Sequence, residues 1–82
     1  MNVSELQEVL ESLPQDQQTP YGMSKLVNEK LGTDLPPQMF YNYVRKGFIT
    51  ATFSEKDGWR IEPTEVRRWI ERYAFRNIVT IS

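Results

Sequence analysis

The chain has 82 residues and a formal net charge of −1, and it contains neither cysteine nor histidine. This length allows one domain with a single modest core. Without cysteine and histidine the chain has no disulfide framework, no thiolate or imidazole metal ligand, and no Ser-His or Cys-His nucleophile pair. The acidic residues are scattered among basic ones and form no isolated apolar-flanked pair, so we expect neither an enzyme nor a bound metal or cofactor.

The sequence shows no long apolar segment and an uneven distribution of charge. Nothing approaches eighteen consecutive apolar residues and no signal peptide opens the chain, so we expect a cytoplasmic protein that does not bind membranes. Residues 1–20 carry four acidic residues and no basic one, a net charge of −4. Residues 21–82 carry ten basic and seven acidic residues, a net charge of +3. This indicates a basic body with an acidic N-terminal extension, or acids that only solvate the first helix.

The first predicted element is an amphipathic helix over residues 3–13. Its apolar residues recur at helical spacing: Val3, Leu6, Val9, Leu10 and Leu13. Ser4, followed three residues later by Gln7, predicts a capping box at its start. The helix either covers the core of its own domain or pairs with another subunit. The segment after it, up to Pro20, has no apolar periodicity, so residues 1–19 are expected to form an acidic helix and a loop.

A helix-turn-helix pair is predicted next. Residues 23–31 form a short helix with Met23, Leu26 and Val27 inward and Gly32 at its end. A four-residue connection follows, and a first helix of this kind braces the second across a DNA groove. The same arrangement occurs in small helical domains that bind no DNA.

The second helix of the pair, over residues 35–47, carries two different faces. Pro36 and Pro37 suit its first turn, and Gly47 allows a left-handed end. One face is apolar and comprises Phe40, Tyr43, Val44 and Gly47. The other bears hydrogen-bonding groups and a cation: Gln38, Tyr41, Asn42 and Arg45. Such side chains read base edges and phosphates in a major groove, so we interpret this element as a recognition helix.

A β-hairpin is predicted after Gly47, where the apolar period changes to two. Residues 48–53 and 59–61 are rich in β-branched and aromatic residues, and the turn between them contains Asp-Gly. Lys56 and Arg60 lie at or beside its tip. These cations either contact phosphate oxygens or only keep the hairpin soluble.

The last helix is predicted from Pro63 through about Arg76, with Val66, Trp69, Ile70 and Tyr73 inward and Trp69 as a core anchor. Arg68, Arg72 and Arg76 form a basic row that Glu65 and Glu71 partly neutralise, and we interpret it as a solvated face. The apolar C-terminal tail, residues 77–82, is expected to add a strand or to meet a partner.

Taken together, the elements resemble the excisionase-like and MerR-type winged helix-turn-helix DNA-binding domains over about residues 20–73. The matching residues are Leu35-Pro36-Pro37-Gln38, Phe40, Tyr41, Val44, Arg45-Lys46-Gly47-Phe48-Ile49 and Gly58-Trp59-Arg60-Ile61, leading to Trp69-Ile70. The resemblance implies that the exposed face of the second helix enters the major groove. It also implies that the hairpin, called the wing in such domains, contacts an adjacent groove or the backbone.

We therefore predict a mainly α fold with a small β-hairpin, a winged helix-turn-helix of order α-α-α-β-β-α counting the helix over residues 3–13, in which residues 20–76 form the winged helix-turn-helix domain. The expected function is sequence-specific binding of double-stranded DNA, by a transcriptional regulator or an excisionase-like recombination accessory factor. A homodimer or a cooperative array is expected for tight binding. The predicted DNA-binding residues are Ser24, Lys25, Gln38, Tyr41, Asn42, Arg45, Lys46, Lys56 and Arg60. The alternative is a protein-protein interaction adaptor that uses the acidic helix and the apolar tail on a winged-helix scaffold.

Overall fold

A computed structural model describes the backbone of residues 2–81, with the side chains of residues 2–74 and of Arg76. Its elements, in chain order, are α1 (Val3–Glu11), α2 (Pro20–Leu31), α3 (Pro37–Arg45), β1 (Ala51–Ser54), β2 (Gly58–Ile61) and α4 (Pro63–Ile81). The two strands form an antiparallel hairpin. The predicted mainly helical fold with one hairpin, in the order α-α-α-β-β-α, is confirmed.

Helix α1 begins at Val3 as predicted and ends at Glu11 instead of residue 13, but its N-terminal cap differs from the prediction. Asn2 caps the helix: its Oδ1 accepts a hydrogen bond from the Glu5 amide at 2.8 Å, and its Nδ2 donates to the Glu5 carboxylate at 3.3 Å. Ser4 and Gln7 lie inside the helix. The predicted capping box was wrong. Asn2, with Glu5 three residues later, supplies the capping pair, so the helix begins before Ser4 and Ser4 lies within its first turn.

The start of α2 lies earlier than predicted, at Pro20 instead of residue 23. Thr19 is the N-cap, and its Oγ1 accepts a hydrogen bond from the Gly22 amide at 3.0 Å. Proline at the first helical position loses no hydrogen bond, since that N–H has no partner within a helix. The predicted end is confirmed, because Gly32 adopts a left-handed conformation with φ of 66°.

The segment before α2 is tied to the hairpin. Gln18 and Ile61 form an isolated antiparallel bridge, in which each residue's amide donates to the other's carbonyl, at 2.9 and 2.7 Å. Helix α1 contacts α4, and its side chains Leu6, Val9 and Leu10 lie half-buried against the core. In this chain the first helix therefore covers its own domain, the first of the two predicted alternatives.

The hairpin begins later than predicted. Strand β1 starts at Ala51, and the amides of Phe48 and Ile49 instead donate to the Tyr43 carbonyl at the end of α3. Register pairs Thr52 with Arg60 and Phe53 with Trp59. The predicted turn is confirmed over residues 55–57.

The core lies between α2, α3, β2 and α4. Its buried apolar residues are Met23, Val27, Phe40, Val44, Ile49, Ile61, Val66, Ile70 and Ala74. The expected anchor Trp69 is half-buried and packs its ring against that of Phe40, with centroids 5.0 Å apart. Ile70, the next residue, is the fully buried one.

Helix α4 begins at Pro63 as predicted and continues to Ile81. The prediction of a strand in the tail was wrong for residues 77–81, which belong to α4. Residues 64–82 contain neither glycine nor proline, the residues that most disfavour a helix. The expected contact of the tail's side chains with a partner lies outside the described residues.

A hydrogen-bonded cluster fixes the turn between α2 and α3. The side chain of Asn28 accepts from the Leu35 amide at 2.7 Å and donates to the Leu35 carbonyl at 2.9 Å. The Thr33 hydroxyl donates to the same Asn28 oxygen at 2.8 Å, and the Ser24 hydroxyl donates to the Leu35 carbonyl at 2.8 Å. Asn28 thus satisfies both backbone groups of the residue before the Pro-Pro start of α3.

We expect Asn28→Ala to lower the free energy of unfolding by about 1–3 kcal/mol, because the Leu35 amide would lose its partner in a partly buried site. The matched control is Glu29→Ala, an exposed neighbour on the same helix, which should change stability by about 0.5 kcal/mol or less. Urea denaturation followed by circular dichroism measures both. Equal stability of the two variants would contradict a structural role for Asn28.

Candidate nucleic-acid interface

The register of α3 places its apolar side chains inward and its polar side chains outward. Phe40 is fully buried and Val44 is 5% exposed. Gln38, Asn42 and Arg45 are exposed on the opposite side. The predicted register is confirmed. Because the pattern of burial follows the helical period, the exposed row is a continuous surface along the helix.

The polar row contains side chains of complementary chemistry. Gln38 Nε2 lies 3.5 Å from Asn42 Oδ1, one turn further along, and Tyr41 is 37% exposed beside them. The row ends in the cation of Arg45, which is followed by the exposed Lys46. Amides and a guanidinium supply paired donors and acceptors, the groups that distinguish base edges.

Both ends of α3 are rigidly defined. Pro36 and Pro37 restrict the backbone at its start. At the other end Gly47 has φ of 84°, the Gly47 amide donates to the Val44 carbonyl at 3.2 Å, and the Phe48 amide donates to the Tyr43 carbonyl at 2.9 Å. This is a Schellman motif, and the rings of Tyr43 and Phe48 form its usual apolar contact, with centroids 6.1 Å apart.

The two predicted residues on α2 differ in accessibility. Lys25 is exposed, and its Nζ lies 5.9 Å from the ring centroid of Tyr21, one turn earlier. Ser24 is only 2% exposed, and its hydroxyl donates to the Leu35 carbonyl. Ser24 therefore belongs to the inter-helix turn and not to the exposed surface, in contrast to its predicted role. Its hydroxyl can be buried at little cost because it is hydrogen-bonded.

The tip of the hairpin is electrically balanced. Lys56 is exposed, but it is flanked by Glu55 and Asp57. Arg60 is 37% exposed in its side chain and lies 3.7 Å from the Asp57 carboxylate. The predicted wing cations are thus present on one hairpin, although the neighbouring acids offset their charge.

The charge near α3 is different from that of the hairpin. Residues 35–54 contain no acidic residue. Within the described part of the chain, Arg45 and Lys46 form no ion pair, whereas Arg67 pairs with Glu71 at 2.9 Å and Arg68 with Glu65 at 3.2 Å. The cations of α3 therefore keep their charge available, while two arginines of α4 do not.

One exposed aromatic residue of α2 lies outside the predicted site. Tyr21 is 56% exposed and shares a helical face with Lys25. The spacing of four residues between an aromatic ring and a cation was a detectable signal, but the predicted start of α2 at residue 23 left Tyr21 outside the helix.

Two other kinds of feature, a metal-binding cluster and a membrane-spanning helix, are absent from the residues that the structure describes. Among residues 2–81 no group of three or more acidic side chains is arranged to hold a metal ion. No helix over this range has the length and apolar character needed to span a membrane.

Comparisons with protein-family models, with curated protein sequences and with solved structures gave no significant match. The candidate function therefore depends on the geometry and chemistry of this chain alone.

The register of α3 can be tested with substitutions at two adjacent positions, one buried and one exposed. Phe40→Ala should lower the free energy of unfolding by about 3–5 kcal/mol, since it leaves a cavity in a small core. Tyr41→Ala, on the exposed side, should cost about 1 kcal/mol or less. Thermal and urea denaturation of the two variants measure the difference. A larger loss for Tyr41→Ala than for Phe40→Ala would be incompatible with this register.

Proposed function

We propose that the protein binds double-stranded DNA in a sequence-specific manner as a winged helix-turn-helix protein, with α3 in the major groove and the hairpin against the backbone or the adjacent minor groove. The observation that carries this proposal is the exposed row Gln38, Tyr41, Asn42 and Arg45, held opposite the buried Phe40 on a helix with fixed ends. A polar row on a helix is common, but a row with fixed ends, in a stretch (residues 35–54) that contains no acidic residue, is suited to a polyanion.

The dimensions of α3 fit this role. An α-helix with its side chains is about 10–12 Å across and the major groove is about 12 Å wide, so α3 can enter the groove. Its nine residues give the exposed row a length of about 14 Å. Gln38 and Asn42 have the amide pattern that pairs with adenine, and Arg45 has the fork that pairs with guanine. The inter-helix turn fixed by Asn28 limits how far α3 can tilt away from these contacts.

Phosphate contacts are assigned to the exposed cations around this row. Lys46 follows Arg45 at the end of α3, and Lys25 lies on the bracing helix. Lys56 reaches outward from the hairpin tip, whereas the pairing of Arg60 with Asp57 reduces what Arg60 can contribute. These contacts position the protein and carry no sequence information of their own.

The biological role proposed is transcriptional regulation or an accessory role in recombination of the excisionase kind. Both require reading a DNA site without cutting it. The single short reading helix limits the contact area of one copy, so a homodimer or a cooperative array on neighbouring sites is proposed for tight binding.

The exposed acidic side chains of α1 favour a second candidate, a protein-protein interaction adaptor. Glu5, Glu8 and Glu11 lie on the side of α1 that faces solvent. They repel DNA phosphates and suit a basic protein surface.

Duplex binding should weaken steeply with salt. If about four phosphates are neutralised, a plot of log K against log salt concentration should have a slope of about −3.6, because each contact releases condensed counterions. Fluorescence anisotropy of a labelled mixed-sequence duplex between low and physiological salt measures the slope. A slope indistinguishable from zero would remove the DNA proposal and leave the adaptor.

Arg45→Ala and Lys56→Ala should reduce DNA binding in different ways. Arg45→Ala should cost about 1–3 kcal/mol at the preferred site and flatten the preference at one base pair, since it removes a base contact. Lys56→Ala should weaken all sequences about equally and reduce the salt slope by about one unit, since it removes a phosphate contact.

The control for this pair is Arg67→Ala. Arg67 is exposed on α4 and already paired with Glu71, so this substitution should leave the preference for the specific site and the salt slope unchanged. The measurement uses a specific duplex, selected from a random pool, and a scrambled duplex at several salt concentrations. If the three variants bind both duplexes like the unmodified protein, α3 does not read DNA.

A further inference from the structure

A cleft between the end of α3 and α4 is lined by aromatic and cationic side chains. Its volume is about 260 Å³, and it is bounded by Tyr43, Phe48, Trp69, Arg72, Tyr73 and Arg76. Pockets for drug-sized ligands measure about 300–1,000 Å³, so this cleft is suited to a smaller group, such as one aromatic side chain.

The walls of the cleft contain packed aromatic rings, one of which is largely exposed to solvent. Trp69 and Tyr73 stack nearly parallel, with ring centroids 5.2 Å apart and an angle of 11°, and Trp69 also contacts the buried Phe40. Phe48 forms the opposite wall and is 71% exposed, because the Schellman motif holds it outward at the end of α3. Covering a large exposed apolar ring with a ligand is favourable, because it removes apolar surface from water.

The charge at the rim is positive. Arg72 lines this cleft and a smaller one that Phe48 and Trp69 also line, and in the described chain it forms no ion pair. Glu65, which lines the smaller cleft with Arg72, is already engaged: one carboxylate oxygen accepts from the Thr50 amide at 3.0 Å and the other pairs with Arg68. Glu71, the neighbour of Arg72 in sequence, pairs with Arg67. An anionic ligand would therefore meet an uncompensated guanidinium.

The cleft does not overlap the proposed DNA-reading row. Tyr43 faces the cleft and Arg45 belongs to the row, and two residues apart on a helix their side chains diverge by about 160° around the axis. A duplex on the outer face of α3 leaves the cleft open. Occupation of the cleft is thus an independent property, whether or not α3 binds DNA.

From this arrangement we propose that the cleft binds a peptide segment of a partner protein in which one aromatic side chain is flanked by acidic residues. The aromatic side chain enters between Phe48 and Trp69, and the carboxylates meet Arg72. Edge-to-face and offset contacts with the ring walls, together with charge complementarity at the rim, provide the recognition.

A peptide fits these observations better than single-stranded nucleic acid. A strand needs a basic groove that continues over several nucleotides and a series of exposed ring faces. Here the Trp69 and Tyr73 rings cover one face of each other, and one cleft offers space for a single anchor. The single anchor with flanking charges matches a short peptide.

The test uses three synthetic five-residue peptides, each acetylated and amidated: Asp-Glu-Phe-Glu-Asp, the same peptide with Ala in place of Phe, and Lys-Lys-Phe-Lys-Lys. Each is titrated into the full-length protein labelled with ¹⁵N, followed by two-dimensional NMR. The two tryptophans act as reporters, since Trp69 lines the cleft and Trp59 lies on the hairpin. We expect the acidic Phe peptide to shift the indole N–H of Trp69 and not that of Trp59, with a dissociation constant on the order of 0.1–1 mM.

Variants then assign the contacts. Arg72→Glu and Phe48→Ala should each weaken this peptide about tenfold or more, whereas Arg67→Glu on the other side of α4 should leave its affinity unchanged. Both cleft residues are exposed, and the amide spectrum of each variant shows whether it is folded. Arg72→Glu keeps the test valid should Phe48→Ala disturb the end of α3.

Four results would overturn the proposal. The Ala peptide could bind as tightly as the acidic Phe peptide, or the basic peptide could bind more tightly. The NMR shifts could be confined to Trp59 or α3, or Arg67→Glu could lose as much affinity for the acidic Phe peptide as Arg72→Glu does. Tighter binding of a five-nucleotide oligothymidylate at Trp69 would also overturn it and identify a nucleic-acid site. None of these results depends on duplex binding by α3, so the salt titration and the peptide titration can fail separately.

Discussion

The fold depends on the two hydrogen bonds between the Asn28 side chain and the backbone of Leu35. A side-chain amide can donate and accept at once, so one residue of α2 holds both polar groups of the residue that leads into α3. The buried Ser24 hydroxyl adds a second donor to the same carbonyl. Without these bonds the turn would leave polar backbone groups unsatisfied beside the core, and the angle between the two helices would be set only by the non-directional contacts of apolar side chains.

The short helix α3 serves two surfaces because both of its ends are constrained. Prolines restrict the first turn, and Gly47 reverses the chain so that Phe48 packs on Tyr43. The polar row and the Tyr43 wall of the aromatic cleft consequently lie on one constrained helix and point in nearly opposite directions. Charge is unevenly distributed over these surfaces. Residues 35–54 contain no acid, whereas the hairpin tip is balanced and α1 is acidic, on a protein with a net charge near zero.

Features controlled by neighbouring residues were predictable from the sequence. The four-residue spacing of Phe40 and Val44 reveals which face of α3 is buried, and Gly47 reveals its end, because helical period and backbone freedom are local properties. Thr19-Pro20 carried a local signal for the start of α2 that the missing apolar periodicity obscured. The burial of Ser24 could not be inferred in this way, since its partner is a carbonyl eleven residues away whose position depends on the tertiary turn. The cleft was hidden for the same reason: Phe48 belongs to an alternating pattern typical of a strand, and its contact with α4 arises only on folding.

The bridge between Gln18 and Ile61 has a consequence for the order in which the chain folds. Contacts within α2, its turn and α3 join residues close in sequence, so their loop-closure entropy is small and they form early. The pairing of the two hairpin strands also joins residues that are close in sequence. The bridge closes a loop that contains all three of these elements, and its entropic cost favours closure after they are in place. By this reasoning we expect the acidic N-terminal segment to join a unit that is already assembled. Release of this segment would require opening of both the bridge and the contacts of α1 with α4, and the hydrogen bonds of the α2–α3 pair could remain intact.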